Sequence, residues 1–170
     1  NNNFSSDFYT FDDIHINEHF VSLIVNFNNR AGEYNCYLFT TDTAQANAST
    51  SVSFNQQTGL ASNANNAECV YSFHDSTYNN FVVAKASVLH LISSNSSVGA
   101  VTHYNSNDVK DIDGDEEVIF CVGGYNIAKY TLNATLNNGQ YDPNPFTSNS
   151  TYGSSNTNIN YKTVSVYNNV

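Results

Sequence analysis

Residues 81–92 read FVVAKASVLHLI, and this stretch decides the fold class. Its apolar side chains fall on both faces of an extended chain. One face carries Phe81, Val83, Leu89 and Leu91, and the other carries Val82, Ala84, Ala86, Val88 and Ile92. Strands that are apolar on both faces are typical of the buried interior of a sheet structure. The segment therefore predicts a central strand that is covered on both sides.

The same period of two recurs along the chain. In 21–27 the residues Val21, Leu23, Val25 and Phe27 share one face of a strand. Further segments rich in Val, Ile, Phe, Tyr or Thr lie at 8–16, 33–41, 50–55, 68–74, 98–104, 117–123, 125–136 and 158–167. Turns rich in Asn and Gly separate them. About ten short strands with little helix predict an all-β fold, a single antiparallel β-sandwich, Ig-like or jelly-roll-like, over residues 1–170.

The composition indicates an extracellular or cell-surface protein. The chain has 170 residues, the size of one domain, and its 29 Asn, 20 Ser and 14 Thr make its polar surface largely uncharged. A net charge of −10 repels nucleic acid, which we exclude as a partner. No apolar run approaches the roughly 18 residues of a transmembrane segment. The chain opens without an apolar leader, as expected of the mature form of an exported protein.

Three cysteines, Cys36, Cys69 and Cys121, allow one disulfide and leave one thiol over. None lies in a Cys-x-x-Cys motif, so the spacing speaks against a zinc site or a thioredoxin-like redox motif. In an oxidising compartment we expect one pair of these three to be bridged. Buried free thiols are the alternative.

The densest charge cluster surrounds Gly114 and is a candidate calcium site. Its carboxylates are those of Asp111, Asp113, Asp115 and Glu117. Ca²⁺ would relieve their mutual repulsion, because it binds several carboxylate oxygens at once. The helix-flanked calcium loop has Gly at its sixth position, where this chain has Glu116. A solvated acidic hairpin tip is therefore the alternative, and no cofactor other than this possible Ca²⁺ is expected.

Three further residues have unusual positions. His15 and His19 would share one face of a strand, but a metal site there would need ligands from elsewhere in the chain. Lys85 interrupts the apolar segment 81–92. A buried cation is costly, so Lys85 is expected to reach the rim, to pair with a carboxylate or to form an isopeptide bond with an Asn.

Five Asn-x-Ser/Thr sequons are candidate glycosylation sites. Their asparagines are Asn3, Asn47, Asn95, Asn133 and Asn149. The composition alone would produce about six such matches, so their number carries no weight. Asn133 falls on the polar side of a predicted strand, and Asn47, Asn95 and Asn149 fall in apparent loops. We expect N-linked glycans on at least one of them.

Two segments bear on assembly. The stretch 141–157 holds both prolines and many Ser, Thr and Asn residues, which predicts a long loop. The segment 1–16 is a candidate for strand exchange, because an extended strand such as Phe8 to Ile16 can complete the sheet of a neighbour.

These patterns favour a structural role. The first hypothesis is an extracellular subunit that assembles with copies of itself into a filament, pilus-like fibre, sheath or surface layer by β-strand addition. The alternative is a carbohydrate-binding, adhesive or receptor-binding surface module, because Tyr and Phe rings beside Asn and Asp side chains can hold sugars. No catalytic motif is present, and we expect no enzyme activity.

Overall fold

The computed structural model describes residues 8–28, 34–48, 52–57, 67–74, 79–93, 96–102, 108–115, 118–132, 136–137, 140–141, 146–153 and 160–167. Most of them lie in strands. The strands are β1 Phe8–Ile16, β2 Phe20–Asn28, β3 Tyr34–Asp42, β4 Asn55–Gln57, β5 Ala67–His74, β6 Asn79–Lys85, β7 Val88–Ser93, β8 Ser96–Thr102, β9 Asp111–Asp115, β10 Val118–Gly123, β11 Asn126–Leu132, β12 Leu136–Asn137, β13 Gln140–Tyr141 and β14 Phe146–Gly153. The helix α1, Thr43–Ala48, starts after Asp42, whose side chain caps it by accepting the Ala44 N–H.

Twelve of the described strands form three antiparallel sheets of four strands each. Sheet A has the order β1-β2-β3-β4, sheet B the order β5-β6-β7-β8 and sheet C the order β14-β11-β10-β9. The strands β12 and β13 form a separate two-stranded hairpin. Sheets A and B are built entirely from strands that follow each other in the chain. Short hairpin connections therefore account for most of the pairing.

Sheet B contributes to two separate cores. Its contact with sheet A buries Ile24, Cys36, Leu38, Ala67, Val70, Phe81, Val83 and Ile92. Its contact with sheet C buries Cys69, Tyr71, Phe73, Val82, Ala84, Leu89, Leu91, Val109, Ile112, Ile119, Cys121, Ala128, Tyr130 and Leu132. The prediction of a nearly all-β chain is confirmed. The predicted single sandwich is not confirmed, because three small sheets share these two cores.

The segment that predicts one central strand is a hairpin. β6 and β7 pair with each other through the turn Ala86-Ser87, so the prediction of a single strand over 81–92 is wrong. Ala86 has φ of 50°, as the first central residue of a type II′ turn requires. The turn gave no sequence signal because it has Ala where Gly is usual. The expectation that both faces are covered is correct.

The two ends of the chain also differ from the expectation. The predicted loop 141–157 contains β14, whose backbone pairs with β11 and whose Phe146 packs on Tyr130. Phe, Thr and Tyr favour a strand there despite the many Ser and Asn residues. Residues 160–167, predicted as a strand, lie in no sheet. The described part of the strand-exchange segment 1–16 is β1, which pairs with β2 of its own chain.

None of the helical residues in the described ranges belongs to a segment long and apolar enough to cross a membrane.

Candidate functional site

The outer face of sheet A carries exposed apolar side chains because of a β-bulge in β1. The register shifts between Phe11 and Asp13, which leaves Asp12 as the extra residue. Tyr9 and Phe11 before the bulge therefore share a face with Ile14 and Ile16 after it. These four side chains are 61%, 72%, 55% and 61% exposed, in that order. The bulge turns the following polar side chains of β1 toward sheet B.

Tyr9 and Phe11 border a shallow aromatic cleft of about 480 Å³ on this face. We call this surface the aromatic face. Its lining side chains are Tyr9, Phe11, Leu23, Val25, Tyr37, Phe39, Phe54 and Gln56. The rings of Tyr9 and Phe27 lie 4.9 Å apart, and those of Tyr37 and Phe39 lie 6.2 Å apart. No lining side chain carries a charge at neutral pH, although the whole chain is strongly acidic. The surface is suited to an apolar or aromatic partner.

The predicted calcium carboxylates hold the end of the chain. Asp111 Oδ2 accepts the Val164 N–H at 2.8 Å, and Asp113 Oδ2 accepts the Val166 N–H at 2.6 Å. Their other oxygens accept the N–H groups of Ile112 and Gly114. Burial raises the pKa of Asp111 above its ordinary value, although the N–H groups of Val164 and Ile112 oppose the shift. A Ca²⁺ ion at this place would have to compete with backbone N–H groups for these four oxygens.

The other two residues of the predicted calcium site are Asp115 and Glu117. Asp115 closes β9, and Glu117 lies outside the described residues. Within the described ranges, no group of three or more His, Cys, Asp or Glu side chains is arranged to hold a metal ion. Calcium binding stays a prediction.

A second, polar cleft of about 380 Å³ lies where β1, β5 and β9 meet. His15 Nδ1 lies 2.9 Å from Ser72 Oγ and accepts the Ser72 N–H at 3.2 Å. Asn17 donates to the Ser72 carbonyl at 2.8 Å, and Asp13 accepts the Val70 N–H at 2.7 Å. Polar side chains of β1 and of the turn that follows it thus bond to the backbone of β5, an edge strand of sheet B.

Burial lowers the pKa of His15 below its ordinary value, although the nearby carboxylates of Asp113 and Asp13 oppose the shift. His15 therefore accepts as a neutral ring. His19 also lines this cleft, and its ring lies 4.7 Å from that of His74. The sequence placed His15 and His19 together, but it gave no indication that β5 would be their neighbour.

The three cysteines are buried free thiols, so the predicted disulfide is not formed in the structure. Cys36 lies in the core between sheets A and B, whereas Cys69 and Cys121 lie in the core between sheets B and C. Burial raises the pKa of all three thiols. The alternative of small buried hydrophobes is the one observed.

Of the five sequon asparagines, Asn3, Asn95 and Asn133 lie outside the described residues. Asn47 lies in α1 and Asn149 in β14, so the expectation that these two occupy loops is wrong. Glycosylation itself stays a prediction.

No protein-family model, no curated protein and no solved structure matches this chain.

Proposed function

We propose that the chain is an extracellular structural subunit that binds further copies of itself through the aromatic face of sheet A. The exposed, uncharged aromatic face on an otherwise acidic chain carries this proposal. Exposed apolar patches of this kind often mark a protein–protein interaction site.

Charge favours a second copy that meets this face. Two chains with a net charge of −10 repel each other, and the repulsion is smallest where the contact surfaces carry no carboxylate. The same face on both copies gives a two-fold contact, in which apolar residues meet apolar residues. Burying one large apolar side chain such as Phe11 contributes about 1.5–3 kcal/mol, so several of them can support a stable contact.

A polymer needs a second contact, and the edge of β1 is suited to it. β1 is the first strand of sheet A, and the part before the bulge, 8–11, precedes the residues that bond to β5. A strand of another copy can add to this edge through backbone hydrogen bonds, as in donor strand complementation. Face pairing and strand addition together would build a filament, pilus-like fibre, sheath or surface layer.

The test is sedimentation velocity over a concentration series, with Phe11→Lys as the variant. Phe11 is the most exposed of the large apolar side chains of the aromatic face, and a lysine there places a charge in the contact. We expect the wild type to associate and the variant to stay monomeric. Tyr152→Lys is the matched control, because Tyr152 is 57% exposed on sheet C. A wild type that stays monomeric at every concentration would overturn the proposal.

A carbohydrate-binding or adhesive module is the second candidate. The hydroxyls of Tyr9 and Tyr37 and the amide of Gln56 stand beside aromatic rings in the same cleft, an arrangement that can hold a surface glycan. Saturable binding of a glycan by the monomer, lost in Tyr37→Ala, would favour this function over assembly.

N-linked glycans on this chain and Ca²⁺ at the acidic strand β9 complete the proposal of an extracellular protein. The mass of protein from its native source, before and after enzymatic removal of glycans, tests the first. A calorimetric titration with CaCl₂ tests the second.

A further inference from the structure

Lys85 is buried at the end of β6, with 5% of its surface exposed. It follows Val83 by two residues, so it shares the face of sheet B that packs on sheet A. Of the three expectations for this side chain, its burial overturns the first, that it reaches the rim. Among its neighbours is the thiol of Cys36 on β3, which is 1% exposed and hydrogen-bonds to Lys85.

Neighbouring contacts join the two sheets beside this pair. Asn26, paired with Cys36 across β2 and β3, accepts the Ala67 N–H at 2.9 Å and donates to the Ala67 carbonyl at 2.7 Å. Ala67 is the register partner of Lys85 across β5 and β6. The two hydrogen bonds of the Asn26 amide thus connect sheet A to sheet B beside the thiol and the amine.

We propose that Cys36 and Lys85 are a modification site, at which dioxygen joins them through an N–O–S bridge. The ammonium group of Lys85 releases one proton to solvent and loses one N–H hydrogen, and the thiol of Cys36 loses its S–H hydrogen. One oxygen atom is inserted between Nζ and Sγ, and the other leaves with the two hydrogens as water. Sulfur and nitrogen each lose two electrons, and the four electrons reduce the dioxygen. Dioxygen is small and apolar, so it can reach a site that excludes larger oxidants.

The bridge links β3 of sheet A to β6 of sheet B covalently. A link between residues 36 and 85 closes a long loop of the chain and restricts the unfolded state, as a disulfide of that span does. We expect the bridged form to melt higher than the reduced form by about 5 °C or more. The link would stabilise a subunit that lies outside the cell, where no pool of reducing thiols keeps its cysteines reduced.

Mass spectrometry of the whole chain tests the proposal. Protein purified anaerobically is divided and kept in nitrogen or in air-saturated buffer. The sample in air should gain about 14 Da, an oxygen atom less two hydrogens, and dithiothreitol should reverse the gain. After digestion, the peptides that contain Cys36 and Lys85 should appear as one cross-linked species. Lys85→Arg and Cys36→Ala should abolish the gain, and Cys69→Ser should keep it, because Cys69 lies in the other core.

Two results would overturn the proposal. One is an unchanged mass in air, and the other is a gain of about 32 Da on Cys36 without a cross-link, which is ordinary oxidation to the sulfinic acid. The melting temperature of each variant under nitrogen shows whether it folds. Self-association is measured separately with Phe11→Lys, so either idea can fail without the other.

Discussion

Replacing Asp113 by Ala should release the end of the chain. The carboxylate of Asp113 accepts the Val166 N–H at 2.6 Å, and a hydrogen bond to a charged group contributes about 1.5–3 kcal/mol. Asp113 is half-buried, so solvent screening places the value near the lower limit. Since about 1.4 kcal/mol is a factor of ten, residues 160–167 should open about ten times more often. The double variant with Asp111→Ala should approach about a hundredfold.

Trypsin measures this opening, because Lys162 is exposed within the segment and cleavage there releases residues 163–170. The rate of release, followed by mass spectrometry at low protease concentration, should rise by these factors. Asp115→Ala is the matched control, since Asp115 makes no hydrogen bond to 160–167 in the part of the chain that the structure describes. An equal rate in wild type and Asp113→Ala would refute the assignment. If Ca²⁺ binds these carboxylates instead of the N–H groups, adding it should speed the release in wild type.

Three further predictions concern stability. Ala86→Gly should raise the free energy of unfolding by about 1 kcal/mol in urea, because Gly tolerates φ of 50°, whereas Ser87→Gly should give no gain. Gly114→Ala should lower it by about 2 kcal/mol or more, because the new Cβ would stand in hard contact with the Val118 carbonyl oxygen; a variant as stable as wild type would contradict the close approach of β9 and β10. The contribution of His15 to the free energy of unfolding should be fully present above pH 6.5 and should be lost as the pH drops below it, because the folded pKa of His15 is lower than its unfolded value. His15→Gln should weaken this dependence and leave a remainder from His90, whose pKa burial also lowers.

The strand content could be predicted because it depends on local alternation. The two apolar faces of 81–92 correctly indicated a covered position, since this property survives the turn at Ala86 and Ser87. The turn itself was missed, because the side chains there are those of a strand and only the backbone of Ala86 is unusual. Tertiary pairing in the hairpin decides this conformation, and no local signal reports it.

The aromatic face could be found only in part. Tyr37 and Phe39 alternate with the buried Cys36 and Leu38, so β3 is apolar on both faces, but the sequence does not tell which face has a neighbour. The bulge at Asp12 changes the alternation of β1, and a strict period of two therefore misplaces its first residues. Asp111 and Asp113 were recognised as a cluster, yet their partners lie 53 positions further along the chain. Such a distance leaves no pattern in a single sequence.

The order of the sheets along the chain has a consequence for biosynthesis. Sheet A is complete by residue 57, sheet B uses 67–102, and sheet C follows from 111 to 153. Each layer can therefore form while the ribosome is still adding the next, at about 5–20 residues per second. At this rate, the strands of sheet B that cover the inner face of sheet A are synthesised within a few seconds. Each strand can therefore pair with a neighbour of its own chain soon after synthesis, which limits premature aggregation of exposed strands.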